Sequence, residues 1–221
     1  ETPLAEQKAA MIQAADERAL KHHVTLHDVL AMVSKFRQTD ETTPVVLMGY
    51  LNPIEIMGYA EFAAQAASAG VDGVLVVDMP PEEGAEFSQL LLNHSINTIF
   101  LVSPTTDVAR IEKINNQASG YLYYVSLKGV TGANTLDVDA VAQKLEQIRS
   151  LSDLPVGVGF GIKDGQTAQA VARVADAVVV GSALVNRIAA NLDDEAEMKR
   201  QVGALIEEMR NMMDAATVQH R

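Results

Sequence analysis

The chain has 221 residues, with 17 Lys+Arg against 29 Asp+Glu and a net charge of −12. That acidity argues against a nucleic-acid or anionic-membrane partner, because binding phosphate groups in bulk needs positive surface. Zero Cys excludes a disulfide scaffold, thiolate zinc sites and thiol catalysis, and the 48% apolar content is too high for a disordered chain.

The predicted elements alternate along the chain. Thr25 and Asp28 form a capping pair that opens a helix running to about Gln38. The first apolar, β-branched run is Pro44 to Tyr50, followed by a helical pattern from Gly58 to Ala69. A second strand, Gly73 to Asp78, leads to a helix from Glu82 to Asn93. The third strand is Thr98 to Val102, and Asp107 starts a helix that reaches Asn116. Tyr121 to Val125 is the fourth strand and Val138 to Ser150 the next helix. Pro155 to Gly159 and Ala177 to Val180 are the last two strands, separated by a helix from Gln166 to Arg173. A short helix, Ala183 to Ala190, and a long closing helix, Asp194 to Ala216, complete the chain.

The strand runs are nearly continuous in hydrophobicity, which marks strands buried on both faces of a parallel sheet. Their starts lie roughly 22 to 34 residues apart, the size of βα units in a barrel or doubly wound sheet. No Gly/Ser linker divides them, so residues 1–221 read as a single (β/α) barrel domain. Six strands are recognisable, whereas a closed barrel has eight. The expectation is an α/β chain of the TIM (β/α)8-barrel type that lacks the first two strands. Open edges in such a barrel invite pairing with a second copy. No apolar run is long enough to cross a bilayer, and the N-terminus has neither the basic nor the apolar region of a secretory leader. A cytoplasmic location is expected.

Three glycine clusters follow successive strands: Gly129-Val130-Thr131-Gly132, Gly159-Phe160-Gly161 and Gly181-Ser182. Glycine lets the backbone approach an anion, and a following helix N-terminus adds positive partial charge. The alternative is that these residues only make tight turns. The loop from Ser126 to Asn134 is long for a βα connection, and such loops usually carry function. Asp78 ends a buried strand, where it positions a substrate or loop, or else caps a loop or helix. Glu82 and Glu83 read as first-turn helix acids. Tyr50, Tyr123 and Tyr124 lie near strand ends, and alternation sends Tyr123 and Tyr124 to opposite faces. Each also reads as an amphipathic core tyrosine. The five histidines show no metal-ligand spacing and read as surface groups, so no metal is expected. Met209, Met212 and Met213 read as filling the packing face of the last helix.

The motifs LMGYLNPI, AGVDGVLVVDMPPEE, FLVSPTT, GYLYYVSLKGVTGA, VGFGI and VVVGSALV occur in this order. Together they resemble the tryptophan synthase α-subunit family, from about Ile12 to the C-terminus. The resemblance implies a (β/α)8 barrel that cleaves indole-3-glycerol phosphate into indole and glyceraldehyde 3-phosphate. It implies no cofactor on this chain, with pyridoxal phosphate only on a partner β-subunit. It also implies that backbone groups of Gly132, Gly161 and Gly181, with Ser182, anchor the phosphate. Tyr50, Leu75, Leu101, Tyr123 and Phe160 would form the indole pocket, with Asp78 beside it and Tyr123 among the catalytic groups. Lys128 to Asn134 would be a lid, carrying Gly129 and Thr131, and 52–57 a loop facing the β-subunit.

The family places a catalytic Glu at the end of its second strand and a catalytic Asp shortly after it. This chain opens Glu1-Thr2-Pro3-Leu4-Ala5-Glu6, which echoes the D-P-L-A-D around that Asp and makes Glu6 its stand-in. The run that follows, Gln7-Lys8-Ala9-Ala10, is helix-forming, so Glu6 also reads as an ordinary helical residue. A phosphate- and indole-binding barrel without turnover, or a partner-binding fragment, is the alternative function. Another phosphate-binding barrel, such as an epimerase, fits the G-V-T-G loop less well.

Overall fold

The computed structural model describes residues 4–126, 137–159 and 161–217. In chain order the elements are α1 (Leu4–Leu20), α2 (Leu26–Arg37), β1 (Val46–Gly49), α3 (Leu51–Met57), α4 (Tyr59–Ala69) and β2 (Gly73–Val76). There follow α5 (Ala85–Asn93), β3 (Asn97–Thr98), β4 (Phe100–Val102), α6 (Val108–Asn115), β5 (Leu122–Val125) and α7 (Val138–Arg149). β6 (Val156–Gly159), α8 (Gly165–Ala172), β7 (Ala177–Val179), α9 (Ser182–Ala189) and α10 (Glu195–Thr217) complete the described chain. These elements fall into two compact units.

One unit comprises His23–Tyr123 and Ser150–Pro155. Its sheet runs β1-β2-β3, with parallel register Val46↔Gly73 and Gly73↔Asn97. The strand expected at 98–102 is split. Ile99 donates its N–H to Val74 O, ending the pairing with β2, and β4 begins at the next residue. α2 opens with the expected box: Asp28 N–H reaches Thr25 Oγ1, and Thr25 N–H returns to the Asp28 carboxylate at 2.8 Å. Along α4, Phe62, Ala63, Ala66 and Ala69 are buried, the apolar stripe of a helix packed on a sheet. Phe62, Phe87, Leu91, Val74 and Ile96 form the centre of this core. Gly70 stops α4 at φ +89°, a left-handed cap that favours glycine.

Two sequence readings are corrected here. The 52–57 stretch is helical, not a loop: Pro53 sits in the first turn of α3, where its missing N–H costs no helical bond. Glu82 and Glu83 precede α5 and do not begin it. Glu83 and Gly84 N–H groups bond Pro80 O in a turn, and the helix starts at Ala85. The Glu82 carboxylate turns instead to Lys113 Nζ at 3.2 Å and Arg110 at 3.5 Å on α6.

The other unit comprises the described parts of Glu1–His22, Tyr124–Arg149 and Val156–Arg221. β6 and β7 pair in parallel, Gly157↔Ala177 to Gly159↔Val179, and Ser126 N–H beyond β5 bonds Gly159 O. α8 packs on α10, and the contact depends on Gly165. A Cβ there would come within 2.5 Å of Met212 Sδ and 2.9 Å of the Glu208 carboxylate. Met209 is buried in α10, with Met212 and Met213 half-buried, the packing role read from sequence.

One device recurs at the starts of strands. Arg37 ends α2 and donates to Gly70 O, Asp40 O, Thr43 O and the Asp72 carboxylate, while Asp72 also accepts Val45 N–H at 2.7 Å. Arg149 ends α7 and pairs with Asp176 at 3.0 Å, while Asp176 accepts Val156 N–H at 2.9 Å. In each, one aspartate before a strand ties the start of the preceding strand to the end of the helix that comes before that preceding strand. They differ in depth: Arg37 is 16% exposed and Arg149 41%. Arg37→Ala should therefore cost about 2 kcal/mol of unfolding free energy, because carbonyls lose charge-assisted partners. Arg149→Ala should cost only about 0.5 kcal/mol. Urea unfolding of both variants checks the order; equal losses would refute it. Burial raises the Asp176 pKa, but the Val156 N–H and Arg149 outweigh it and hold the carboxyl below its ordinary 3.8. A depressed folded pKa gives stability that is present above 3.8 and lost as pH falls through the folded value. The acid limb of a pH–stability curve should flatten in Asp176→Asn.

Candidate active site

The geometry of the first unit's C-terminal strand ends follows from register. Met48 pairs with Leu75, so their side chains share a face, and Tyr50 lies two residues beyond Met48 on the same side. Tyr50 and Leu75, both named for the indole pocket by the resemblance, line one cleft of about 240 Å³ with Met48, Pro53, Val24 and Val29. Pockets for drug-sized ligands occupy roughly 300–1,000 Å³, so this cleft suits a single small ring system. Leu75 is buried at its floor, while Met48 (60% exposed) and Tyr50 (64%) flank the opening.

The end of β2 holds Tyr50 on both sides. Val77 N–H bonds Gly49 O at 2.9 Å, and Leu51 N–H donates to Asp78 Oδ1 at 2.8 Å. Asp78 does not line the cleft; its carboxylate caps the loop into α3. Leu101 is half-buried between the buried Phe100 and Val102 and is also not part of the cleft lining. Tyr123 alternates with buried Leu122 and Tyr124. Burial, with Tyr121 adding, pushes the Tyr123 hydroxyl above its ordinary pKa, so it stays protonated and available as a donor. Tyr124 is the core tyrosine of the pair.

In the other unit, Gly161 and Gly181 each lie two residues past the paired ends Gly159 and Val179. Gly161 has φ +86°, and Gly181 is the N-cap of α9; among the described residues, its chain neighbours aside, no atom lies within 4 Å of where a Cβ would stand. Ser182 opens α9, whose first N–H groups have no helical acceptors and point out of the helix end. This suits an anion such as a phosphate. Glu6 lies in the first turn of α1, on a helix as the following residues suggested. Gly129, Thr131, Gly132 and Phe160 lie outside the described residues. Among the described residues no group of three acidic or histidine side chains could hold a metal ion, and no helix is long and apolar enough to cross a membrane.

The family model for the tryptophan synthase alpha chain matches residues 2–214. The chain belongs to the tryptophan synthase alpha chain family. It is 62% identical over 204 residues to the alpha chain of Thioalkalivibrio sulfidiphilus, covering 92% of this chain and 77% of that one. The Nitrosomonas europaea alpha chain is 55% identical over 204 residues, with 92% and 74% covered. The solved tryptophan synthase alpha chain of Legionella pneumophila matches with TM-score 0.84 at 46% identity, over 92% of this chain and 75% of that one. A structure of the Pyrococcus furiosus tryptophan synthase a2b2 complex matches with TM-score 0.82 at 34% identity, over 91% and 80%. The fold is accordingly α/β of the TIM-barrel type that tryptophan synthase alpha chains share. Sequence reasoning missed Met48 and Pro53 as cleft residues. The signal for Met48 was present, two residues before Tyr50 on one strand.

Proposed function

We propose that this chain is a carbon–carbon lyase that cleaves indole-3-glycerol phosphate into indole and glyceraldehyde 3-phosphate, in tryptophan biosynthesis. The observation that carries this reading is the 62% identity to a tryptophan synthase alpha chain over 92% of the chain. The bond between indole C3 and the hydroxyl-bearing glyceryl carbon breaks. C3 gains a proton, the hydroxyl loses one, and the carbinol carbon becomes the aldehyde. Tyr50 and Leu75 contact the indole ring, as their shared cleft supports, with Leu101 and Phe160 as further apolar contacts. Backbone N–H groups of Gly132, Gly161, Gly181 and Ser182 hold the phosphate. Gly129 and Thr131 belong to the lid that excludes water. Glu6 supplies the carboxylate for proton transfer, and Tyr123 donates a hydrogen bond to the substrate.

The chain works as one cytoplasmic domain and needs no cofactor of its own. Its partner is a β chain that carries pyridoxal phosphate and takes up the indole. The matched structure from Pyrococcus furiosus is of a tryptophan synthase a2b2 complex. Indole release from indole-3-glycerol phosphate, with and without a β chain, tests the reading. Turnover that rises when the β chain is added is expected; a folded chain with no turnover would leave a binding scaffold. Tyr123→Phe should lower kcat/KM about tenfold, the worth of one hydrogen bond to a reacting group, without changing thermal stability. Wild-type kinetics in that variant would remove Tyr123 from the mechanism.

A further inference from the structure

We propose that Asp78 is a positioning residue for the indole cleft, acting through the backbone on Tyr50 and not by touching the ligand. This rests on the reading of the cleft as the indole site. Tyr50 is mostly exposed, so packing does not fix it. It is the N-cap of α3, its backbone extended at φ −96° and ψ 158°, and its own side chain makes no capping bond. The missing cap comes from the turn that follows β2. Asp78 Oδ1 takes Leu51 N–H, the first amide of α3, while Val77 N–H holds Gly49 O on the other side of Tyr50. The peptide units before and after Tyr50 are thus both pinned to residues 77–78, two and three positions beyond Leu75, the cleft floor.

Asp78 is itself held. The segment after it is braced on α6 and the turn that follows it: Gln117, past the end of α6, donates to Pro81 O, and Glu82 takes Lys113 and Arg110 on α6. A carboxylate on so fixed a loop sets where Leu51, and hence the Tyr50 ring, stands over the cleft.

The chain has no Trp, so added indole is the only indole chromophore in a titration. Indole binding is measured by fluorescence for the wild type, Asp78→Ala and Asp78→Asn, together with amide exchange at Leu51 and thermal melting. Asp78→Ala should weaken indole binding about fivefold, the scale of one lost helix cap, and speed exchange at Leu51. Asp78→Asn should recover most of the binding and the slow exchange, because its Oδ1 still accepts the Leu51 N–H. Binding unchanged in Asp78→Ala overturns the proposal. So does an Asp78→Asn variant as weak as Asp78→Ala, which would mean the charge acts on the ligand directly. A wild type that fails to bind indole, with Leu51 exchange still faster in Asp78→Ala, sinks the cleft assignment and leaves only the Asp78–Leu51 link.

Discussion

Phe87→Ala is expected to lower the unfolding free energy by about 3–5 kcal/mol, a large share of the roughly 5–15 kcal/mol that holds a domain folded. Phe87 is fully buried on α5, and it is the ring that two others share. Its centroid lies 4.9 Å from Tyr59 and 5.9 Å from Phe62, both on α4 and both tilted against it. Removing it leaves a void between helices anchored by buried Leu91 on one side and the alanine stripe of α4 on the other. The alanines have no long side chain to swing in, so relaxation is limited and the cavity persists. Leu92→Ala is the control, because Leu92 is on the same helix and is 55% exposed. A urea titration should show a shifted midpoint at unchanged slope for Phe87→Ala and almost no shift for Leu92→Ala. A Phe87→Ala loss below about 1.5 kcal/mol would show that α4 and α5 close over the gap.

The second large effect concerns turnover. Glu6→Ala should reduce indole release by a factor of about 10²–10⁴, the range for a side chain that moves a proton in the transition state. Glu6→Gln should fall nearly as far, since an amide keeps the size and loses the base. Gln7→Ala, the next position of the same first turn of α1, controls for disturbance of the helix. Saturating substrate and an added β chain keep the comparison on the chemical step. A fall smaller than tenfold in Glu6→Ala would show that the proton moves through another group.

Six strand positions were legible because strands of a parallel sheet carry unbroken apolar runs, as Val45–Met48, Gly73–Val77 and Val156–Gly159 do. The expected burial on both faces holds for β2 and β6 but not for β1, where Val46 and Met48 are exposed. Helix starts at Thr25 and Asp107 were legible because their side chains cap visibly, and both do so. The helix at Leu51–Met57 was not, since Pro53 and the lack of a polar N-cap hide it, its cap being supplied by Asp78 from the turn after β2. The late start of α5 was hidden for the opposite reason: Glu82 and Glu83 look like first-turn acids, but Glu82 is drawn to α6. In the site, Tyr50 and Gly181 could be picked out by their strand-end positions, while Leu75 was named only through the family resemblance. The resemblance grouped Tyr50 with Leu75, but the physical reason they share a cleft, and the use of Asp78 on a backbone amide, depend on the parallel register, which one strand read alone does not contain.

The two arginine–aspartate ties span only 35 and 27 residues of chain. The first closes around β1, α3 and α4 and the second around β6 and α8, so each needs only one strand and the helices that follow it, and the entropy lost in forming it is small. Assembly can then proceed by adding one strand–helix repeat at a time, with no need to await contacts between distant parts of the chain. A parallel sheet built this way escapes much of the slowness of long-range strand pairing.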